Sequence, residues 1–117
     1  MLILNENAEI SGLKSAAECL CIAARTAPKG KGKDLLVTAI VTDAEKGLLQ
    51  QQMRLIGERD KVPFFLRDAE NLEHAPVVVL IGTRKEPLRL PACGYCGFAD
   101  CEAMIEAGGT CSFNTGD

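Results

Sequence analysis

Tryptophan is missing from this chain, tyrosine and histidine occur once each, and aromatic residues make up only 4% of it. A nucleic-acid binder that works by stacking bases needs more rings than that. The charge balance agrees: 13 Lys and Arg stand against 16 Asp and Glu, a net charge of −3, the wrong sign for a phosphate backbone. No apolar run approaches the ~20 residues that a membrane-spanning helix requires. There is no G-x-S-x-G elbow and no Walker loop, and the lone His74 has no metal-ligand partner beside it in sequence, so the familiar hydrolytic and phosphoryl-transfer motifs are absent. Nucleic acid and membrane are therefore set aside as partners.

Cysteine is the residue in surplus. Of six, four fall within Pro91 to Phe113 as Cys93, Cys96, Cys101 and Cys111, a C-x2-C-x4-C-x9-C spacing. Four thiols so close in the chain can reach one inorganic centre without help from distant parts of the fold, and thiolates suit iron–sulfur clusters and zinc. Gly94 and Gly97 each follow a cysteine, where the backbone must curl and turn its N–H groups toward sulfur. They are candidate cofactor-binding positions for that reason. Ala99 to Ala107 reads as a short helix closed by Gly108-Gly109. Asp100 and Glu102, flanking Cys101, are expected to serve its N-terminus, and Phe98, Ile105 and Phe113 to shield the centre from water.

Two plainer readings stand beside the cluster. Disulfides suit an oxidising compartment, yet the chain shows no signal-peptide pattern and reads as a cytoplasmic domain whose thiols stay reduced. A structural zinc suits four cysteines, but zinc ribbons pair two C-x2-C knuckles, and here one knuckle is followed by gaps of four and nine. The leading expectation is a 4Fe–4S cluster that carries electrons, alone or as a module of a redox enzyme. A structural zinc-binding or interaction domain is the alternative.

The run Cys93-Gly94-Tyr95-Cys96-Gly97-Phe98-Ala99-Asp100-Cys101 resembles the 4Fe–4S motif of cluster modules in anaerobic electron-transfer proteins. The gamma subunit of CO dehydrogenase/acetyl-CoA synthase and the B subunit of the Rnf complex are examples, and those place the fourth cysteine further away. The chain is also similar to an uncharacterised family of ferredoxin-domain-containing proteins of anaerobic bacteria and archaea. That similarity lies in Ala24 to Gly32, in Leu66-Arg67-Asp68-Ala69 and in the cysteine block. It implies a 4Fe–4S cofactor on the four cysteines. That family continues past the counterpart of Cys111 with further apolar helix, which implies that this chain is a shortened version or a piece of something longer. The Ala24-Arg25-Thr26-Ala27-Pro28 run with its glycine loop more weakly resembles the start of flavin-dependent nitroreductases. That implies a flavin oxidoreductase, but the arginine-rich segment that holds the flavin phosphate is lacking.

The rest of the chain reads as an α/β (α+β) scaffold over residues 1–90, with 91–117 as the cysteine-rich module, one compact domain in all. A first helix spans Asn7 to Thr26, with Ile10, Leu13, Ala17, Leu20 and Ala24 on its core face. Cys19 and Cys21 sit on that helix two residues apart and so point in different directions, at least one of them as a buried apolar residue and neither as a ligand. Leu35 to Val41 is an apolar, β-branched strand. Thr42-Asp43-Ala44-Glu45 fits a capping box opening a second helix to Arg59, with Leu49, Met53 and Ile56 inward and Gln50 outward. Pro63 to Leu66 reads as a second short strand, with Arg67 and Asp68 a surface ion pair. Pro76 to Gly82 reads as a third, buried on both faces because its apolar residues are continuous. The expected result is a small mixed sheet covered by helices.

Between helix one and the first strand lies Lys29-Gly30-Lys31-Gly32-Lys33. Lysine alternating with glycine lets backbone and ammonium groups approach an anion. Lys29 and Lys31 are thus candidate cofactor-binding residues for a phosphate, or docking points for an acidic redox partner protein. The plainer reading is a solvated connection. Three strands with two open edges, covered by two helices, predict a homodimer.

Overall fold

The computed structural model describes residues 1–116. It is an α+β chain: a two-stranded antiparallel sheet accompanied by helices, with the cysteine-containing region last. In order come α1 (Asn5–Thr26), a 3-10 turn (Gly30–Gly32), β1 (Leu36–Val41), α2 (Asp43–Arg59) and α3 (Pro63–Asn71). A second 3-10 turn (Leu72–His74), β2 (Val78–Thr83), α4 (Cys101–Glu106) and α5 (Ser112–Gly116) follow. The chain packs as two compact units, one of Met1–Ile22 with Thr38–Leu80, the other of Ala23–Val37 with Ile81–Asp117.

The first unit is built on α2 against α3. Gly57, buried near the end of α2, has no side chain to hold α3 away: a β-carbon there would lie 2.8 Å from Leu66 Cδ2 and 3.2 Å from Phe65 Cβ. The close approach buries Ala69 completely. It also buries Gln50, whose Nε2 donates to the Ala69 carbonyl and to Glu73 Oε2, each at 2.9 Å. Gln50 was expected to face water. Its amide instead satisfies polar groups that the helix pair would otherwise bury unpaired. Leu49, Met53 and Ile56 do lie on the half-buried side of α2.

The stretch beginning Pro63 is a helix and not the expected strand. Val62 is extended, Pro63 stands at the first helical positions, and the Phe65 N–H donates to the Val62 carbonyl at 3.1 Å. Proline's fixed φ favours that start. The helix places Phe65, Ala69 and Leu72 on one inward side, so tertiary packing overrides the strand preference of Phe-Phe-Leu. The capping box does not form either. Thr42 makes no side-chain cap hydrogen bond, and Asp43, the first residue inside the helix, has φ of 50° and not the helical value expected at that position.

Among the described residues the sheet holds β1 and β2 alone, so it is neither mixed nor three-stranded, and its faces are less covered than the sequence suggested. Leu80 and Ile81 remain 44% and 56% exposed, where an all-apolar strand was expected to be buried on both sides. The first helix begins at Asn5 and runs to Thr26, close to the expected span, but of its expected core face only Ala17 is buried. Ile10, Leu13 and Leu20 are exposed. No helix among the described residues is long and apolar enough to cross a membrane.

Candidate metal centre

The second unit begins with the last turn of α1. Lys29 Nζ donates to the carbonyls of Ala24, Arg25 and Ala27 at 2.7, 2.8 and 2.6 Å. An ammonium has three donors, and here all three cap the carbonyl end of the helix, where a cation is favourable. Arg25 Nη1 reaches both carboxylate oxygens of Asp34 at 2.8 Å and the Leu36 carbonyl at 3.1 Å. That guanidinium holds the Asp34 carboxyl below the ordinary range, helped by the Leu36 N–H. The glycine loop is thus a folded turn, with Lys31 in left-handed backbone at φ 58°. Lys31 Nζ donates to the carbonyls of Leu88 and Arg89 at 3.1 and 3.3 Å, where the chain enters the cysteine block.

From there the backbone curls repeatedly. Arg89 and Ala92 have φ of 56° and 53°, and Gly94 and Gly97 have 56° and 86°. At Gly97 that value disfavours any residue with a β-carbon, and its N–H closes the curl on the Gly94 carbonyl at 3.0 Å. The curl returns Cys93 and Cys96 to the region of Cys101, the first residue of α4. Asp100 caps that helix, its carboxylate accepting from the Ala103 N–H at 2.8 Å, as expected. Glu102 pairs with Arg89. The helix ends at Glu106 in a full Schellman arrangement. Gly108, at φ 68°, donates to the Ile105 carbonyl, and Gly109 donates to the Met104 carbonyl. This tight exit sends the chain back toward Cys111.

Cys93, Cys96, Cys101 and Cys111 all line one cavity of about 260 Å³. Its apolar wall comes from Leu88, Phe98 and Met104, of which Leu88 and Met104 are buried. Tyr95 and Phe113 also line it and meet edge to face, ring centres 5.8 Å apart. Ile105, expected to shield the centre, is exposed and does not line the cavity. Burial pushes the Cys111 thiol up, but the backbone N–H groups of Leu88, Asn114 and Phe113 directed at its sulfur outweigh this and hold it below the ordinary thiol range. The Leu88 contribution was not legible in the sequence, since nothing in residue type marks a backbone N–H as a sulfur ligand's partner.

No disulfide joins any of the six cysteines. Among the described residues, no three His, Cys, Asp or Glu side chains converge closely enough to hold a single metal ion. Cys19 and Cys21, on α1, do not line the cavity. Cys19 is exposed and Cys21 half-buried, so neither is fully buried, where at least one was expected to be.

The chain is similar to an uncharacterized protein of Archaeoglobus fulgidus, with 31% identity over 110 residues. The match covers 92% of this chain and 58% of the relative, so the chain spans rather more than half of that protein's length. No protein-family model matches the chain, and no solved structure matches it.

Proposed function

We propose that the cysteine block binds a 4Fe–4S cluster through Cys93, Cys96, Cys101 and Cys111, and that the protein is a ferredoxin-like electron carrier or a module of a redox enzyme in the reducing cytoplasm. The observation that carries this reading is the single cavity of about 260 Å³ lined by all four cysteines. The donor set fits: four thiolates suit an iron–sulfur cluster, which when bound would supply one-electron transfer. The room fits as well. The cavity has the volume of several waters, at ~30 Å³ each, room for a multi-atom centre.

The protein's own groups favour an anionic sulfur centre. Three backbone N–H groups meet Cys111, stabilising thiolate over thiol. Leu88, Phe98 and Met104 keep water from the inner wall, and the Tyr95–Phe113 pair lies at the more exposed side. The relevant partner is a redox protein, docking where Tyr95 is exposed. A structural zinc domain is the competing reading, favoured by the same four thiols. Anaerobic purification followed by iron, sulfide and zinc analysis separates the two. Iron and sulfide near four per chain, with a visible band that bleaches on reduction, is the expected result. A colourless protein with one zinc per chain would overturn it.

We also propose that the protein pairs with a second copy of itself. Ile10, Leu13 and Leu20 are exposed along α1, and each strand of the sheet has one neighbour only. Apolar stripes and open edges of this kind are commonly covered across a two-fold axis.

A further inference from the structure

Lys31 reaches across 57 residues of sequence to donate to the Leu88 carbonyl, and across 58 to donate to that of Arg89. It does so from left-handed backbone, φ 58°, a region that a lysine rarely occupies. The flanking Gly30 and Gly32 allow the turn that aims it. Arg89, one of its two acceptors, is also left-handed. The neighbouring stretch is held from other directions too. Lys33 pairs with Glu86 at 3.4 Å, and Asn114 Nδ2 donates to the carbonyls of Arg84 and Glu86 at 3.1 and 3.0 Å. Of these groups, Lys31 alone bears on Leu88, whose side chain is 3% exposed and whose N–H meets the sulfur of Cys111.

We propose that Lys31 is a positioning residue for the cysteine centre: by anchoring the Leu88–Arg89 turn it keeps the Leu88 N–H on Cys111, and so raises the reduction potential of the bound cluster. The inference rests on the cluster reading above. Its physics is simple. Reduction adds a negative charge to the centre, and hydrogen bonds to the sulfurs stabilise that charge and raise the potential. Lys31 itself is exposed, so water screens its charge and its hydrogen bonds carry the effect. Deleting the ammonium removes the cation and releases the turn that carries the N–H. Loss of that hydrogen bond favours the oxidised form.

The test is potentiometry on protein reconstituted with iron and sulfide under anaerobic conditions, followed by electron paramagnetic resonance. Wild type is assayed for iron first; a wild-type chain that takes up no cluster overturns the cluster reading, and this inference with it. Given a loaded wild type, Lys31→Met should keep its iron but be about tenfold harder to reduce, ~59 mV lower for one electron. Lys31→Arg, which keeps a cation and donors, should stay near wild type. Lys33→Met removes a neighbouring strut without touching Leu88 and should also stay near wild type. An unchanged potential in fully loaded Lys31→Met overturns the proposal, as does an equal shift in Lys33→Met, which would mark a general charge effect. If Lys31→Met loses its cluster, retention in Lys31→Arg supports the anchoring role and loss in both refutes it.

Discussion

Gly47 and Gly57 lie in the same helix, α2, and alanine at the two sites should shift stability in opposite directions. At Gly47 an added β-carbon meets nothing within 4 Å, so only backbone entropy changes, and Gly47→Ala should stabilise by roughly 0.5–1 kcal/mol. At Gly57 the same gain is opposed by packing. The new carbon would sit 2.8 Å from Leu66 Cδ2, 3.0 Å from Leu66 Cγ and 3.2 Å from Phe65 Cβ. The Leu66 methyl can rotate away, but the other two atoms lie next to the α3 backbone and move only if α3 moves. Overpacking of this kind costs about 1–3 kcal/mol. Taking ~2 kcal/mol for the clash and ~1 kcal/mol for the propensity gain, Gly57→Ala should be destabilised by about 1 kcal/mol. Urea unfolding of the two variants and wild type, at equal protein concentration, measures this directly through the midpoints at constant slope. The difference between the two substitutions isolates the α2–α3 contact. If Gly57→Ala proves as stabilising as Gly47→Ala, the tight helix pair described here is wrong.

Three further outcomes are expected. Replacing Cys19 and Cys21 together by alanine should leave iron content near wild type, while Cys96→Ala should lose most of it; equal losses would show that the α1 cysteines are ligands. The Asp34 carboxyl titrates below its ordinary value because of Arg25, so its contribution to stability is present above the unfolded pKa, ~3.9, and fades as pH falls through the lower folded value. Asp34→Asn should therefore narrow the stability difference from wild type as acid is added, and a difference that is constant from pH 7 to pH 2 would refute the pairing. Sedimentation at micromolar concentration should give twice the 12.5 kDa chain mass; Leu13→Glu with Leu20→Glu should shift it to monomer, and a wild-type monomer would refute self-association.

Much of the local structure was legible in the residues. The β-branched run before Thr42, the apolar run after Pro76, the long first helix and the acidic cap at Asp100 all follow from short-range preferences that neighbouring residues express by themselves. That the four cysteines line one cavity was legible too, because their close spacing keeps them on one stretch of chain, and the curl at Gly94 and Gly97 follows from what glycine tolerates. What tertiary structure decided depends on groups far apart in sequence. Pro63 to Leu66 became a helix because α2 offers Gly57 as a seat for it, and Gln50 turned inward because α3 presents a carbonyl there. The lysines of the glycine loop look like anion ligands in sequence, since residue type shows only a cation. Lys29 instead turns back on the end of α1, and Lys31 crosses to Leu88 and Arg89. Which acceptor an ammonium finds is settled by where the chain returns, and no local pattern records that.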